Sequence, residues 1–245
     1  MAIYDEYTKE ILDQLNYNAT WLPTVQLAPG DVCDMRGHEL RLVSRLKEFD
    51  IPYEVENGPV KTDISYSSAG SVSIQLKLSG DPPPTGSLLE VSDAGIAVSF
   101  SKSQAILLRM ADCTSKRLKS VQKVGEQILA RHNAGTWPNG YVVVTEIVTA
   151  GASTIIISSG DNAGVDLKAK AGVAAGALTL ASLDAGLEVK RESKIGAKFV
   201  AVPGLTPLVR VSGIQKKWLR PDQFRGAESS GPAAFGQVDY SDYTS

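Results

Sequence analysis

The stretch SVSIQLKLSG, residues 71–80, alternates without a break: Val72, Ile74, Leu76 and Leu78 fall on one side, and Ser71, Ser73, Gln75 and Lys77 on the other. Side chains of an extended chain point alternately to opposite faces. A period of two over eight residues therefore specifies a strand with one apolar and one wet face. After the turn-forming DPPPTG, the segment GIAVSFSKSQAILLRM repeats the pattern, with Ile96, Val98 and Phe100 against Ala97, Ser99 and Ser101. Residues 64–110 thus predict two long strands joined by a polar, proline-bearing loop.

A second stretch, VDLKAKAGVAAGALTLASLDAGLEVK at 165–190, fits a linker, a membrane helix or a β-hairpin on composition alone. Its apolar centre, Ala171 to Leu183, is 13 residues long and includes two polar ones. A helix that spans a bilayer takes about 20 consecutive apolar residues, so no transmembrane helix is expected, and the GxxxG spacing of Gly172 and Gly176 has no long helix to act in. Val165, Leu167, Ala169, Ala171 and Val173 alternate with Asp166, Lys168, Lys170, Gly172 and Ala174. The phase slips near Ala177 and Leu178, as at a turn or bulge, and then Leu187 and Val189 face away from Glu188, Lys190, Glu192 and Lys194. A hairpin of small residues is the favoured reading.

Elsewhere, Tyr4, Tyr7, Ile11 and Leu15 recur at helical spacing with Asp5 and Glu6 in the first turn, which predicts an amphipathic first helix. HELRLVSRLKEF reads as a second short helix or a strand. TSKRLKSVQKVGEQILARHN places Leu118, Val121, Val124 and Ile128 on one helical face and crowds Lys116, Arg117, Lys119 and Lys123 into the early turns. YVVVTEIV and TIIIS are β-branched runs typical of buried strands, and LEVKRESKIGAKFVAV and PLVRVSGIQKKW are strand-like again. The fold class expected is α+β: a large twisted, mostly antiparallel sheet with surrounding helices. Residues 226–245 hold three acidic residues and no basic one, against 25 basic and 24 acidic in residues 1–225, so the tail is expected to be a separable unit.

Composition narrows the function. The 245 residues carry a formal net charge of -2, whereas nucleic-acid binders carry a clear basic excess. Cys33 and Cys113, far apart, suggest two reduced thiols rather than a disulfide framework or a zinc site. The N-terminus lacks the basic start and apolar run of a signal peptide. No Walker or dinucleotide fingerprint occurs, and no cofactor is implied. The only histidines are His38, beside Cys33, Asp34 and Glu39, and His132, in a polar loop after a helix. Neither neighbourhood makes a catalytic set, and an enzyme is not expected.

The order of first helix, YNATWLPTVQLAPGDV, long amphipathic strand pair, basic helix and GYVVVTEIVTAGASTIII resembles the pore-forming domain of gasdermins, especially the compact bacterial and fungal members. YVVVTEIV is similar to the family's strand entering its second membrane hairpin, and PGLTPLVRVSGI to its strand near the end of that domain. The likeness spans residues 4–219. It implies a soluble, autoinhibited, cytoplasmic protein that assembles into a ring in the plasma or bacterial inner membrane, for cell death or antiphage defence. Its partners would be lipids, copies of itself and an activating protease.

Under that resemblance, Ile64 to Met110 and Thr154 to Lys194 would become long hairpins of a closed barrel, whose strands need about 9–11 alternating residues to cross. Val72, Ile74, Leu76, Leu78, Ile96, Val98 and Phe100 would face lipid in the first. The second would use Val165, Leu167, Ala169, Ala171, Val173, Leu187 and Val189. Lys116, Arg117, Lys119 and Lys123 would contact headgroups, at about 1 kcal/mol per near-surface cation. Cleavage near Arg225 would free a latch that docks through Phe235, Tyr240 and Tyr243. The chain departs from bacterial members in having no cysteine within AIYDEYTKE, residues 2–10, and from mammalian ones in its short tail. The competing expectation is a binding or scaffold module that offers a wide sheet to a protein partner; a hydrolase using His38 or His132 comes third.

Overall fold

The alternating segments pair as antiparallel ladders. The computed structural model describes residues 3–36, 39–60, 62–170, 173, 178–181, 186–215 and 233–243. In chain order the elements are α1 (Ile3–Leu15), β1 (Asn18–Ala19), β2 (Asp31–Arg36), β3 (Glu39–Arg45), β4 (Val55–Asn57), β5 (Ile64–Ser67), β6 (Val72–Lys77), β7 (Gly95–Phe100) and β8 (Ile106–Ala111). They continue with β9 (Thr114–Leu118), α2 (Val121–Asn133), β10 (Tyr141–Thr149), β11 (Ala152–Ser158), β12 (Ala163–Lys168), β13 (Glu188–Ser193), β14 (Ile195–Pro203), β15 (Leu208–Gln215) and β16 (Ala234–Val238). The class is α+β with mostly antiparallel sheet, as the alternation predicts.

The chain divides into two compact units. The first comprises residues 1–7, 60–114 and 149–205 and contains two four-stranded sheets, ordered β14-β11-β8-β5 and β13-β12-β7-β6. Each strand of one sheet continues in sequence into a strand of the other: β5 into β6, β7 into β8, β11 into β12 and β13 into β14. The two long strands expected over 64–110 are therefore each broken at a corner. Gly70, Gln104, Asn162 and Lys194 take positive φ at the four breaks. Hydrogen bonds run from strand to strand through the corner itself, from Ser68 N to Ile106 O, Ser101 N to Ser71 O, Gln104 N to Ser158 O and Ser159 N to Lys194 O.

The physical reason for the break is apolar surface on both sides of β8 and β11. Ile106, Leu107 and Leu108 are all fully buried, as are Ile155, Ile156 and Ile157. A flat sheet covers neither side by itself. Folding over lets Leu107 and Ile156 pack against Ile96, Val98, Phe100, Val165 and Leu167 of the other sheet, in one core.

The second unit comprises residues 8–59, 115–148 and 206–245. Among its described residues, β1, β2, β3, β4, β9, β10, β15 and β16 form one sheet around β10. Val143, Val32 and Leu118 face α2 through Val124 and Ile128, in a core with Leu46, Ile51 and Trp137. Val142, Val144 and Ile147 join Cys33, Met35, Val209 and Val211 in a separate core. β10 is covered on both faces, which accounts for its unbroken apolar run.

One helical expectation changes, and one segment read as either helix or strand is decided. The predicted helix over 114–133 begins only at Val121, because Thr114–Leu118 is β9 and pairs with β4, Glu56 opposite Arg117 and Asn57 opposite Lys116. Leu118 reaches the core from a strand, and His132 lies inside the last turn of α2 rather than in a loop after it. HELRLVSRLKEF divides into β3 and a 3-10 turn at Leu46–Phe49. His38 lies outside the described residues.

Both thiols are buried. Burial, with the Asp31 carboxylate adding to it, pushes the Cys33 thiol up to about 12, and burial is the main cause that raises Cys113 to about 11. Since the thiolate is the nucleophile, neither should react with iodoacetamide in the native protein at mildly alkaline pH, while both should react in denaturant. Rapid labelling of either thiol in the native state, read by mass spectrometry, would contradict this packing.

Candidate membrane-inserting strands and C-terminal segment

In the sheet β13-β12-β7-β6, Val72, Ile74 and Leu76 lie directly opposite Phe100, Val98 and Ile96, which in turn lie opposite Ala163, Val165 and Leu167. Directly opposed residues share a face. The sequence-predicted apolar faces of the first hairpin and of β12 are thus one surface, and it points into the core. Ile96, Val98, Phe100, Val165 and Leu167 are buried; on the edge strand β6, Ile74 is 39% and Leu76 52% exposed. Leu78 lies one residue past β6 and is half-buried. Ala169 is buried just beyond β12, with its N–H donated to Ala94 O at 2.8 Å. Val173 and Leu187 pack partly on the same core, whereas Ala171 lies outside the described residues.

The second hairpin differs from its predicted phase at one place. Leu167 pairs with Val189 but Asp166 pairs with Arg191, so Lys190 is an extra residue, a bulge. Beyond it Glu192 lies opposite Val165, on the same face as Val189, where simple alternation puts it on the other. The bulge sits in β13; Ala177, at the predicted slip, lies outside the described residues.

A single phase can be followed along each central strand through the corner. One phase of the second strand reads Ile96, Val98, Phe100, Lys102, Gln104, Ile106, Leu108, Met110; one phase of the third reads Ile155, Ile157, Ser159, Asp161, Ala163, Val165, Leu167. Phe100 faces Ala163 before the corner and Ile106 faces Ile157 after it, six residues on along one strand and six back along the other. The central pair therefore keeps a single register on both sides of the corner. In the folded unit this phase is buried in two places: Ile96, Val98 and Phe100 between the sheets, and Ile106, Leu108 and Met110 on the opposite side of their sheet from Leu107.

The four predicted headgroup residues are all exposed, but they do not form one helical face. Lys116 and Arg117 are on β9 and Lys123 is on α2. Arg117 pairs with Glu56 and Lys119 with Glu54, each at 2.8 Å. That pairing lowers the Glu54 carboxyl and raises the Lys119 ammonium, chiefly through their shared hydrogen bond.

Beside them a cleft of about 750 Å³ runs between α2, β10, β15 and β16 and contains a set of residues that the sequence reading missed. The buried Glu146 carboxylate accepts from Arg210 at 3.0 Å and from the Tyr17 hydroxyl at 3.1 Å, with the Arg210 guanidinium 4.2 Å from the Tyr17 ring centre. Burial first, then Glu146, pushes the Tyr17 phenol up to about 12. A lone carboxylate inside YVVVTEIV is the signal for it, because a charge in a buried strand needs a partner.

Residues 233–243 belong to the second unit. β16 pairs with β15 over five residues, with Phe235 opposite Ile214. The Phe235 ring lies against α2 where Gly125 has no side chain: a Cβ there would come within 2.6 Å of the ring. Tyr240 is buried and its hydroxyl donates to Ala19 O at 3.0 Å, while Asn18 Nδ2 donates to Val238 O at 3.2 Å. Tyr243 ends a 3-10 turn, Tyr240–Tyr243. The Tyr243 side chain and Arg225 lie outside the described residues.

No helix among the described residues is long and apolar enough to cross a membrane, which leaves strands out of account. Among the described residues, no group of three or more His, Cys, Asp or Glu side chains could hold a metal ion. No protein-family model matches the chain, and no curated protein matches it.

The Gly125–Phe235 contact makes a measurable prediction. Phe235→Ala should lower stability by about 2 kcal/mol, as expected for a partly buried aromatic, and Gly125→Ala should also destabilise despite alanine's better helix propensity. In the Phe235→Ala background, Gly125→Ala should become neutral or stabilising in urea unfolding. Additive effects would mean that the ring does not rest on the helix.

Proposed function

We propose that the chain is a pore-forming protein of the kind its resemblance to gasdermins implies, stored with its membrane strands folded over and inserting them as long hairpins of a β-barrel. The observation that supports this reading is the central strand pair, β7–β8 with β11–β12, which keeps one antiparallel register on both sides of the corner. An ordinary sandwich needs a matched register only within each sheet. A pair that straightens without slipping needs it throughout, because a slip of one residue turns every side chain to the other face.

Straightening the central pair in its existing register would bring Lys102 opposite Asp161, two residues on from the Phe100–Ala163 pair. These are the charged residues of the apolar phase in the second and third strands over residues 95–111 and 152–168, and their signs are opposite. Opposite charges directly across a ladder attract, and like charges repel. Both residues are exposed in the folded unit. β16 and Tyr240 act as the latch in this reading, and proteolysis near Arg225 releases it.

Dye release from phosphatidylcholine vesicles containing phosphatidylglycerol is the test. A chain ending at residue 225 should leak contents faster than the full chain and give rings by negative-stain microscopy. Lys102→Asp should leave folding stability within about 0.5 kcal/mol and cut leakage about tenfold. Lys102→Asp with Asp161→Lys should recover part of it. If both chain lengths stay monodisperse with vesicles and release nothing, the pore reading fails and a binding or scaffold module takes its place.

A further inference from the structure

Residues 78–94 join β6 to β7 and lie across the outer, polar face of their sheet. They are held there by polar ties to three strands. Lys77 of β6, only 1% exposed, directs its ammonium to the carbonyls of Leu78 at 3.2 Å, Val91 at 3.1 Å and Asp93 at 2.6 Å. From β12, Asp166 Oδ2 accepts the Leu88 N–H at 2.7 Å, and from β13 Arg191 donates to Gly86 O. At the centre is Asp93, 3% exposed: Oδ1 meets Lys168 of β12 and Oδ2 meets the bulge residue Lys190 of β13, each at 2.7 Å. Oδ2 also accepts the Glu90 N–H at 2.9 Å.

One carboxylate of the first hairpin segment thus binds two lysines of the second. We propose that residues 78–94 are a strap that ties β6, β12 and β13 of one sheet together and keeps β6 and β7 from lengthening, and that the Asp93 carboxylate is its release point. As the connection between β6 and β7, the strap must leave the sheet before either strand can lengthen past Lys77 or Gly95. Leu78 is the first residue of β6 that would join the ladder, and its N–H is now turned to Asp81 Oδ2 at 3.0 Å, whereas Ala94 O already accepts Ala169 N at 2.8 Å, one step past the last β7–β12 pair. Charge-assisted bonds of this kind are strong while dry and exchange readily for water or other anions once one end lifts. The strap's hold is a property of the chain in water; only its effect on leakage rests on the pore-forming reading.

Hydrogen exchange of the full chain, followed by mass spectrometry without lipid, tests the strap directly. Asp93→Asn should speed exchange of amides in 78–94 and at Ala169 about tenfold, while α2 and β10 keep their protection. Unchanged exchange in 78–94, in a variant whose circular dichroism and thermal unfolding remain cooperative, overturns the proposal. Should Asp93→Asn not fold, Lys168→Met removes one of the two lysine bonds from a half-exposed position, with the same expected and overturning outcomes. In a second arm, Asp93→Asn in the chain ending at residue 225 should release dye from phosphatidylcholine–phosphatidylglycerol vesicles faster than the unsubstituted truncated chain. Faster exchange with no release from any variant keeps the strap and removes the pore reading. Faster release with unchanged strap exchange overturns the strap.

Discussion

Two demands act on the same strands of the first unit: backbone hydrogen bonds must be satisfied along their whole length, and apolar side chains on both sides of β8 and β11 must leave water. The ladder bonds that continue through the corner, such as Gln104 N to Ser158 O, meet the first demand without interrupting the antiparallel pairing. The fold-over meets the second by using one half of the sheet to cover the other. Burying residues such as Leu107 and Ile156 this way contributes roughly 1.5–3 kcal/mol for each large aliphatic side chain. The rest of the unit follows: the paired turns at the corner, the exposed edge at Ile74 and Leu76, and a polar outer face where Lys77, Asp166 and Lys168 emerge.

Because the central pair keeps its register at the corner, apolar residues of one phase are buried in two separate places, with Lys102, Gln104, Ser159 and Asp161 between them. In the pore-forming reading proposed above, straightening would exchange both covers for lipid. The central β7–β8 and β11–β12 pairs need no register slip to do so. The outer pairs do: the step from Phe100–Val72 to Met110–Ile64 covers ten residues on one strand and eight on the other, and β13 carries the Lys190 bulge. In that reading the central pair would stay unchanged, with rearrangement confined to the two flanking strands.

Much of this was legible in the chain. Alternation in 71–80 and 95–100 predicts β6, β7 and their shared apolar face, and the β-branched runs predict β10 and β11 with no wet side. The corners were hidden for the same reason that they matter. A straight strand and a folded one have the same period when the phase is kept, and Ser, Gly and Gln at the break suit both. β9 was hidden because Leu118, Val121 and Val124 satisfy helical spacing, whereas the Arg117–Glu56 partner that makes a strand is 61 residues away. The ties of Asp93 were equally out of reach, since Lys168 and Lys190 lie 75 and 97 residues further on.

The contrast between the two faces explains why an ionic strap suits this unit. The polar face of the sheet β13-β12-β7-β6 carries lysines, an arginine and an aspartate, so any cover must supply charges and carbonyls rather than methyl groups. An apolar cover would leave Lys77 and Asp166 without the strap's carbonyls and Leu88 N–H, at the cost of desolvating both. Polar ties can be replaced one for one by water, so lifting the strap costs mainly the burial of Leu89, which is 2% exposed and lies against Gly95. The apolar face has the opposite property, because nothing in water can replace its partner sheet. In the proposed strap, holding β6 and β7 short through the polar face places the reversible contact where release is tolerated, while the apolar face keeps its partner sheet.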